Sequence, residues 1–400
     1  NISSIIDYYW YKIDSDFVEI SFDTECMHTL YYFAKDNLCH RTNIFEKSYY
    51  VDCTGPYVNV THVDHGYTAI NDTAGYLKGG EYINLDATDI PDNMCASGVE
   101  AMFWRWTWND TFYPDDYDQF VYHGSDLVDL YGSAYDIPEI VNYYWFALYD
   151  DSVTITFNEN CRHDLYFFAK DNVCNHGDIY HRTYFVDNEI PQLNVTYPKH
   201  GYFLEMVDPP STYKQHLKAG IPITYTATDY PKNDCGAGIE SIFWRYEYDG
   251  APYPDSPPGQ NVISGSDIAA KYGDDYNIPE ITNHNWYQIN DSSVDIVFDR
   301  ECRHDLHIFA KDNLCHRTEI IDQTYYVDDS NPDVFITNPG HGYYPIGCTE
   351  GYLKCYTPVN LTAYDYPDNE CLAGIEGIFW RYEFNGSYYT DEPDDNVVSG

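Results

Sequence analysis

The chain has 400 residues, with 65 Asp plus Glu against 21 Lys plus Arg and a formal net charge of −44. That balance excludes nucleic acid, itself a polyanion, as a partner. A disordered acidic tail is excluded as well, because 44% hydrophobic residues and 44 tyrosines supply ample apolar surface for packed cores.

Along the chain the first readable element is Leu30-Tyr31-Tyr32-Phe33-Ala34-Lys35-Asp36-Asn37-Leu38-Cys39-His40, and its Ala-Lys-Asp-Asn-x-Cys core returns within Leu165 to Cys174 and Leu306 to His316. A second block reads Gly98-Val99-Glu100-Ala101-Met102-Phe103-Trp104-Arg105 and returns from Gly238 to Arg245 and from Gly374 to Arg381. The spacings of 135 and 141 residues (Cys26, Cys161, Cys302) and of 140 and 136 (Cys95, Cys235, Cys371) give a unit of about 138, the size of one domain. Within a unit, Ser152 to Phe157 alternates β-branched and polar residues, Leu165 to Ala169 is a run of the buried type, and Thr183 to Val186 precedes an Asp-Asn-x-x-Pro junction. One helical signal stands out, Gly265 to Gly273 with a serine cap and a closing glycine, matched by Gly124 to Gly132. These elements predict an all-β chain of antiparallel sandwiches, about seven strands each, with a short helical insertion per repeat.

Eight Asn-x-Ser/Thr sequons fit an exported glycoprotein with N-linked glycans: Asn1, Asn59, Asn71, Asn109, Asn194, Asn290, Asn360 and Asn385. Asn59 and Asn194 fall at the same place in successive repeats. Twelve cysteines at recurring spacings predict disulfides and hence an extracellular, oxidising setting. No apolar run approaches the roughly 18 to 20 residues of a membrane span. The start at Asn1, without a methionine, predicts a processed product or a window of something longer.

The order of motifs is an Asp-rich loop, Ser/Ala-Gly-Ile-Glu, Phe-Trp-Arg-Tyr with Tyr248-Asp249-Gly250, His-Asp-Leu-Tyr-x-Phe-Ala-x-Asp-Asn, then Tyr-x-Val-Asp and Pro. This order resembles the tandem Ig-like repeats of prokaryotic, archaeal or bacterial, cell-surface and adhesion proteins, over nearly the whole chain. The resemblance implies architecture and location, and function by analogy only.

Junctions at Asp52 to Pro56, Asp187 to Pro191 and Asp328 to Pro332 set the phase. Residues 54–190 and 191–331 are expected as complete Ig-like domains, 1–53 as the C-terminal half of one and 332–400 as the N-terminal half of another. Half a sandwich exposes strand edges and half a core. The front half of one copy is therefore expected to be completed by the back half of the next, giving a head-to-tail polymer of the chain with itself. A window of a longer repeat protein remains the other reading.

In an Ig-like sandwich the loop before the Gly-Ile-Glu strand and the loop after the Ala-Lys-Asp-Asn strand lie at one end, which places Cys95 beside Cys174 and Cys235 beside Cys315 as disulfides. Cys39 and Cys371 are then expected to pair across the joint between copies or beyond the chain. Cys348 and Cys355 are expected to form a local bridge, and Cys26 to bridge Cys53. Cys161 and Cys302 find no intrachain partner in this scheme, leaving lateral disulfides or buried thiols. Asp89, Asp92 and Asp171, and then Asp229, Asn233 and Asp312, offer hard oxygens that suit Ca²⁺, unless these residues simply turn the backbone. The junction carboxylates Asp187, Glu189, Asp328 and Asp329 extend that expectation to the linkers.

Cys161-Arg162-His163 and Cys302-Arg303-His304 provide two soft ligands where a site needs three or four, and Cys39-His40 lacks the first cysteine of a haem motif. No nucleophile elbow, zincin helix, phosphate loop or dinucleotide fingerprint is present, so no enzyme is expected. The expected function is a structural glycoprotein of an extracellular filament or surface layer. An adhesin stalk, or a carbohydrate-binding accessory region using the aromatic strands Phe103 to Trp108 and Phe243 to Tyr248, is the alternative.

Overall fold

In a strand with both faces covered, apolar residues are buried whichever way they point, and this explains the Leu165-Tyr166-Phe167-Phe168-Ala169 run of the second repeat, whose counterpart in the third is Leu306-His307-Ile308-Phe309-Ala310. In the computed structural model Leu165, Phe167 and Ala169 enter one core with Val58, Leu77, Ile83, Leu85 and Ile155. Phe168 points the other way into a second core with Ala101, Phe103, Leu127, Tyr135, Ile140 and Trp145. The structure describes residues 5, 7–63, 65–91, 93–116, 118–208, 212–232, 234–254, 261–366 and 371–389.

The chain divides into two compact units, Asn1–Asn188 with Pro231–Ala237, and Glu189–Tyr230 with Gly238–Gly400. In the first, strands Ser152–Thr156, Tyr82–Thr88 and Tyr57–His62 form a three-stranded sheet. The facing sheet has eight strands, with Tyr180–Asp187, Cys161–Asp171 and Val99–Trp108 at its centre. All its pairings are antiparallel except Ala74–Lys78 on Tyr180–Asp187. The second unit repeats this: a three-stranded sheet of Gln192–Thr196, Ile223–Thr228 and Ser293–Ile296 faces an eight-stranded sheet centred on Ile321–Asp328, Cys302–Asp312 and Ile239–Tyr248. The fold is all-β and consists of tandem Ig-like sandwiches.

Each sandwich is larger than the seven strands expected, and its insertion is longer than one helix. Helix Gly265–Tyr272 is followed by a 3₁₀ turn at Asp274–Tyr276 and a short helix at Pro279–Thr282. The cap is Ser264, whose hydroxyl accepts from the N–H of Asp267 at 3.1 Å, and the helix closes at Gly273 with φ 95°. The physical reason for the extra length is the second buried face of the large sheet, which Ile268, Tyr272, Tyr276, Ile281 and Trp286 cover over Phe243 and Phe309. At about 25 cal/mol per Å² of apolar area, this layer adds to stability as a second core would.

One lysine and one arginine are buried in each sandwich, Lys170 and Arg105 in the first and Lys311 and Arg245 in the second. Lys170 and Lys311 are fully buried on the central strands and ion-paired to Glu100 and Glu240. Arg105 is also buried, its guanidinium carbon 3.7 Å from the ring centre of Tyr143 and 4.0 Å from that of Tyr166.

Cys26–Tyr32 pairs with Phe45–Val51 as a two-stranded sheet. The indole of Trp10 donates to the carbonyl of Ile5 at 3.1 Å, as Trp145 does to Ile140 and Trp286 to Ile281. Beyond Pro332 the described strands form three two-stranded sheets, the first pairing Asp333–Thr337 with Asn360–Tyr364.

Candidate functional site

The joint between successive repeats gathers the residue types that the sequence marks as chemical. Its centre is a turn repeated three times. Asp171 Oδ1 accepts from the N–H groups of Val173 (2.9 Å) and Asn175 (2.7 Å). Asp312 accepts likewise from Leu314 and His316, and Asp36 from Leu38 and His40. The cysteine of each turn adopts positive φ, 69° at Cys39, 72° at Cys174 and 66° at Cys315. The recurring Asp-Asn-x-Cys motif is therefore an aspartate-held turn. Its asparagine fastens the turn sideways: the Asn172 amide donates to the carbonyls of Ser97 and Gly98, both at 3.0 Å.

The junction aspartate is the part that sequence reasoning had only as a boundary mark. Asp52 Oδ2 accepts from the N–H of Ser97 at 2.6 Å, Asp187 Oδ2 from Ala237 at 2.9 Å, and Asp328 Oδ2 from Ala373 at 3.1 Å. A carboxylate at the end of one repeat thus holds the loop that precedes the central strand of the next. The signal for it was the invariant Val-Asp ending of the three junction strands.

The disulfides run across the same joint and overturn the expected pairings. Cys26 bonds Cys95, Cys161 bonds Cys235, and Cys302 bonds Cys371, with Cα separations of 4.8, 4.9 and 4.9 Å. Cys95 does not pair with Cys174, nor Cys235 with Cys315. The loop bearing Cys95 or Cys235 is drawn by the junction aspartate toward the start of the preceding repeat's Cys strand. Cys161 and Cys302, left partnerless by the sequence, supply that start, at φ 85° and 89°. Cys26 consequently bonds Cys95 and not Cys53, and Cys371 bonds Cys302 and not Cys39. Cys39, Cys53, Cys348 and Cys355 are exposed free thiols, and Cys174 and Cys315 are half-buried ones. The local Cys348 to Cys355 bridge is absent because Cys348 lies in the turn of the Tyr343–Pro345 and Gly351–Leu353 hairpin, while Cys355 lies beyond the far strand.

Three carboxylates converge here. Asp52, Asp89 and Asp171 each bring one oxygen within 4.8 Å of the others, and Asp89 and Asp171 are buried. Asp89 also accepts from the Gly98 N–H at 2.6 Å. Burial, reinforced by the neighbouring carboxylate charges, raises both Asp89 and Asp171 above the ordinary aspartate value. Asp229 accepts from Gly238 N–H at 2.5 Å, and Asp312 is fully buried. Asp92 and Asn233 lie outside the described residues. Of the sequon asparagines, Asn1 lies outside the described residues, and Asn59, Asn71, Asn109, Asn194, Asn290, Asn360 and Asn385 are all exposed.

No family model matches the chain, and no curated protein matches it. Among solved structures it is similar to the fibronectin(III)-like modules of Clostridium thermocellum CbhA, at 13% identity and a TM-score of 0.27, over 68% of this chain and 95% of that one. It is also similar to the chicken CNTN1 FN1-FN3 domains, at 7% identity and a TM-score of 0.25, over 74% of this chain and 77% of that one. The fold class rests on the strand pairing and not on these scores. No helix among the described residues is long and apolar enough to cross a membrane.

Proposed function

We propose that the chain is a non-enzymatic structural glycoprotein of a prokaryotic cell surface, forming an extracellular filament or surface layer by head-to-tail chaining of Ig-like domains. The observation that carries this reading is the threefold recurrence of one joint, in which a disulfide and a junction aspartate tie each repeat to the loop of the next. Disulfides closing loops of 69 to 74 residues oppose unravelling by about 4 kcal/mol each in the chain-entropy picture. They also need an oxidising compartment. Exposed sequons would carry N-linked glycans on such a surface.

The domains in this reading are 54–190 and 191–331, flanked by a C-terminal half at 1–53 and an N-terminal half at 332–400. Ca²⁺ is proposed at Asp52, Asp89 and Asp171, where three carboxylates repel one another in a partly dry site. Each carboxylate oxygen that accepts an N–H keeps a further lone pair for a cation.

Negative-stain imaging of the purified chain, with and without reductant, tests the reading. Long uniform fibres that lose stiffness on reduction support it. Discrete particles of one chain's mass at every concentration refute it.

The alternative, an adhesin stalk or carbohydrate-binding accessory region, is favoured by one observation. A cavity of about 480 Å³ beside Arg105 is lined by Phe112, Tyr113, Tyr143 and Tyr144. Retention on a polysaccharide column that Tyr143→Ala abolishes would select it.

A further inference from the structure

We infer that the cavity beside Arg105 binds a uronic-acid residue of a polysaccharide, with the buried Arg105 guanidinium as the receptor for its carboxylate. The inference rests on the carbohydrate-binding alternative and deepens it by naming the sugar class and the group that recognises it.

Arg105 is only 5% exposed, and its Nε and Nη1 are buried with no hydrogen-bond partner among the described residues. Aromatic rings alone meet its charge: Tyr143 and Tyr166 lie over the guanidinium, with Trp145 at 5.0 Å. Such rings attract a cation but accept none of its N–H bonds in the way a carboxylate does. A buried cation without a counter-ion is costly, so the site favours any anion that can reach it.

The second sandwich shows what complements this arginine. Arg245, at the equivalent position, donates from Nη1 to Glu247 at 3.0 Å. The residue two places after the arginine is Glu247 there and Glu383 in the following repeat, but Thr107 in the first sandwich. Its flanking rings differ as well, with Tyr143 and Tyr166 where the second sandwich has His284 and His307. The first sandwich therefore keeps the cation and omits the carboxylate. Asp164, opposite Thr107 on the neighbouring strand, does not replace it, because Asp164 is already bonded to Arg162, His181 and Thr183.

The rest of the cavity selects the ligand. Its volume of about 480 Å³ falls within the roughly 300–1,000 Å³ of small-molecule sites. Phe112, Tyr113, Tyr143 and Tyr144 line it, and aromatic faces suit the C–H face of a pyranose ring. Asp110 and Asp115 line it too, both exposed, and their oxygens accept from hydroxyl groups. A ligand that uses all three features carries a carboxylate, several hydroxyls and an apolar ring face, which describes a uronate. An acidic peptide has the carboxylate and lacks the hydroxyls. A chain of net charge −44 repels polyanions over most of its surface, so retention of one reports this site.

The test titrates the full chain with polygalacturonate, polyglucuronate and polymannuronate, with the methyl ester of each, and with polyglutamate. At least one polyuronate should bind at least tenfold more tightly than its ester and than polyglutamate. Thr107→Glu, which gives Arg105 the carboxylate that Glu247 gives Arg245, should weaken that binding at least tenfold. The uncharged Thr107→Gln, of the same size, should keep it within threefold. Polyuronates that bind no better than their esters, or a Thr107→Glu chain that binds as well as wild type or as Thr107→Gln, overturn the inference and leave carbohydrate binding standing. Tightest binding to polyglutamate assigns the site to an acidic peptide and overturns the sugar. Failure of every polysaccharide, esters included, to bind overturns the inference and the carbohydrate reading together.

Discussion

Lys170 and Glu100 face each other across the two central strands of their sandwich, with the ammonium wholly enclosed, 4.3 Å from the ring centre of Tyr131 and bonded to the carbonyl of Asp171 at 2.9 Å. Removing only the carboxylate leaves an uncompensated buried charge. Glu100→Ala is expected to cost about 3–5 kcal/mol, and the double variant Lys170→Met with Glu100→Leu to recover most of it. Urea denaturation measures both, and equal losses in the single and double variants would show that the pair is not what stabilises the site.

The disulfide scheme predicts a labelling pattern. Without reductant, an alkylating reagent should modify Cys39, Cys53, Cys348 and Cys355 quickly. Burial raises the Cys315 thiol, so it should react slowly. Cys26, Cys95, Cys161, Cys235, Cys302 and Cys371 should label only after reduction. Non-reduced peptide mapping decides the case, and a Cys95 to Cys174 crosslinked peptide would falsify the joint.

Calcium and protons should compete at the carboxylate cluster. Asp89 and Asp171 have folded-state values raised above 3.8, so their contribution to stability is full below the ordinary carboxylate range and is lost as pH rises through the raised values. At neutral pH the cluster is repulsive, and Ca²⁺ at a hundred times its Kd should add about 2.7 kcal/mol. That gain should shrink on acidification and in Asp52→Asn. Thermal melts in Ca²⁺ and in chelator across the carboxylate range check it; a gain indifferent to both changes rules the cluster out.

Histidines act with the opposite sign. Burial lowers His163 and His304 below 6.5, so both fold neutral; their contribution is full above 6.5 and is lost as pH falls below it. His163 stacks on Phe157 at 4.3 Å. His163→Phe keeps an aromatic in place and should make the acid-side decline of stability shallower, as pH-dependent melts would show. An unchanged acid limb would remove His163 from the account.

The second core should be as sensitive as the first. Phe168 is fully buried between Phe103 at 4.9 Å and Trp145 at 5.0 Å, and Phe168→Ala should cost about 3–5 kcal/mol. Phe379→Ala, at the equivalent of Phe103 but exposed, should change the stability of the single chain by no more than about 0.5 kcal/mol. Calorimetry of the two variants compares them directly.

The fold was legible because period-2 patterning is local: Val153 and Ile155 alternate with Ser152, Thr154 and Thr156, and they pair as such. The helical layer was underestimated because Pro279–Thr282 is too short to show a period, and its helicity comes from burying Ile281. The Asp-Asn-x-Cys turns were visible as motifs, and their aspartates do hold the backbone. The disulfides were not legible, because pairing was sought within each sandwich while the partner loop belongs to the next one. The contacts of Asp52 with Ser97, Asp187 with Ala237 and Asp328 with Ala373, between residues 45 to 50 positions apart, reveal which way that loop leans.

The position of the bonded cysteines also decides how tension travels. A pull applied beyond Cys26 and Cys371 would bypass the three loops that Cys26–Cys95, Cys161–Cys235 and Cys302–Cys371 close, because each bridge is a shortcut past 69, 74 and 69 residues. Only the segments between one bridge and the next remain free to pay out. The contour that force can extract is thus capped by covalent chemistry before any hydrogen bond has to resist it.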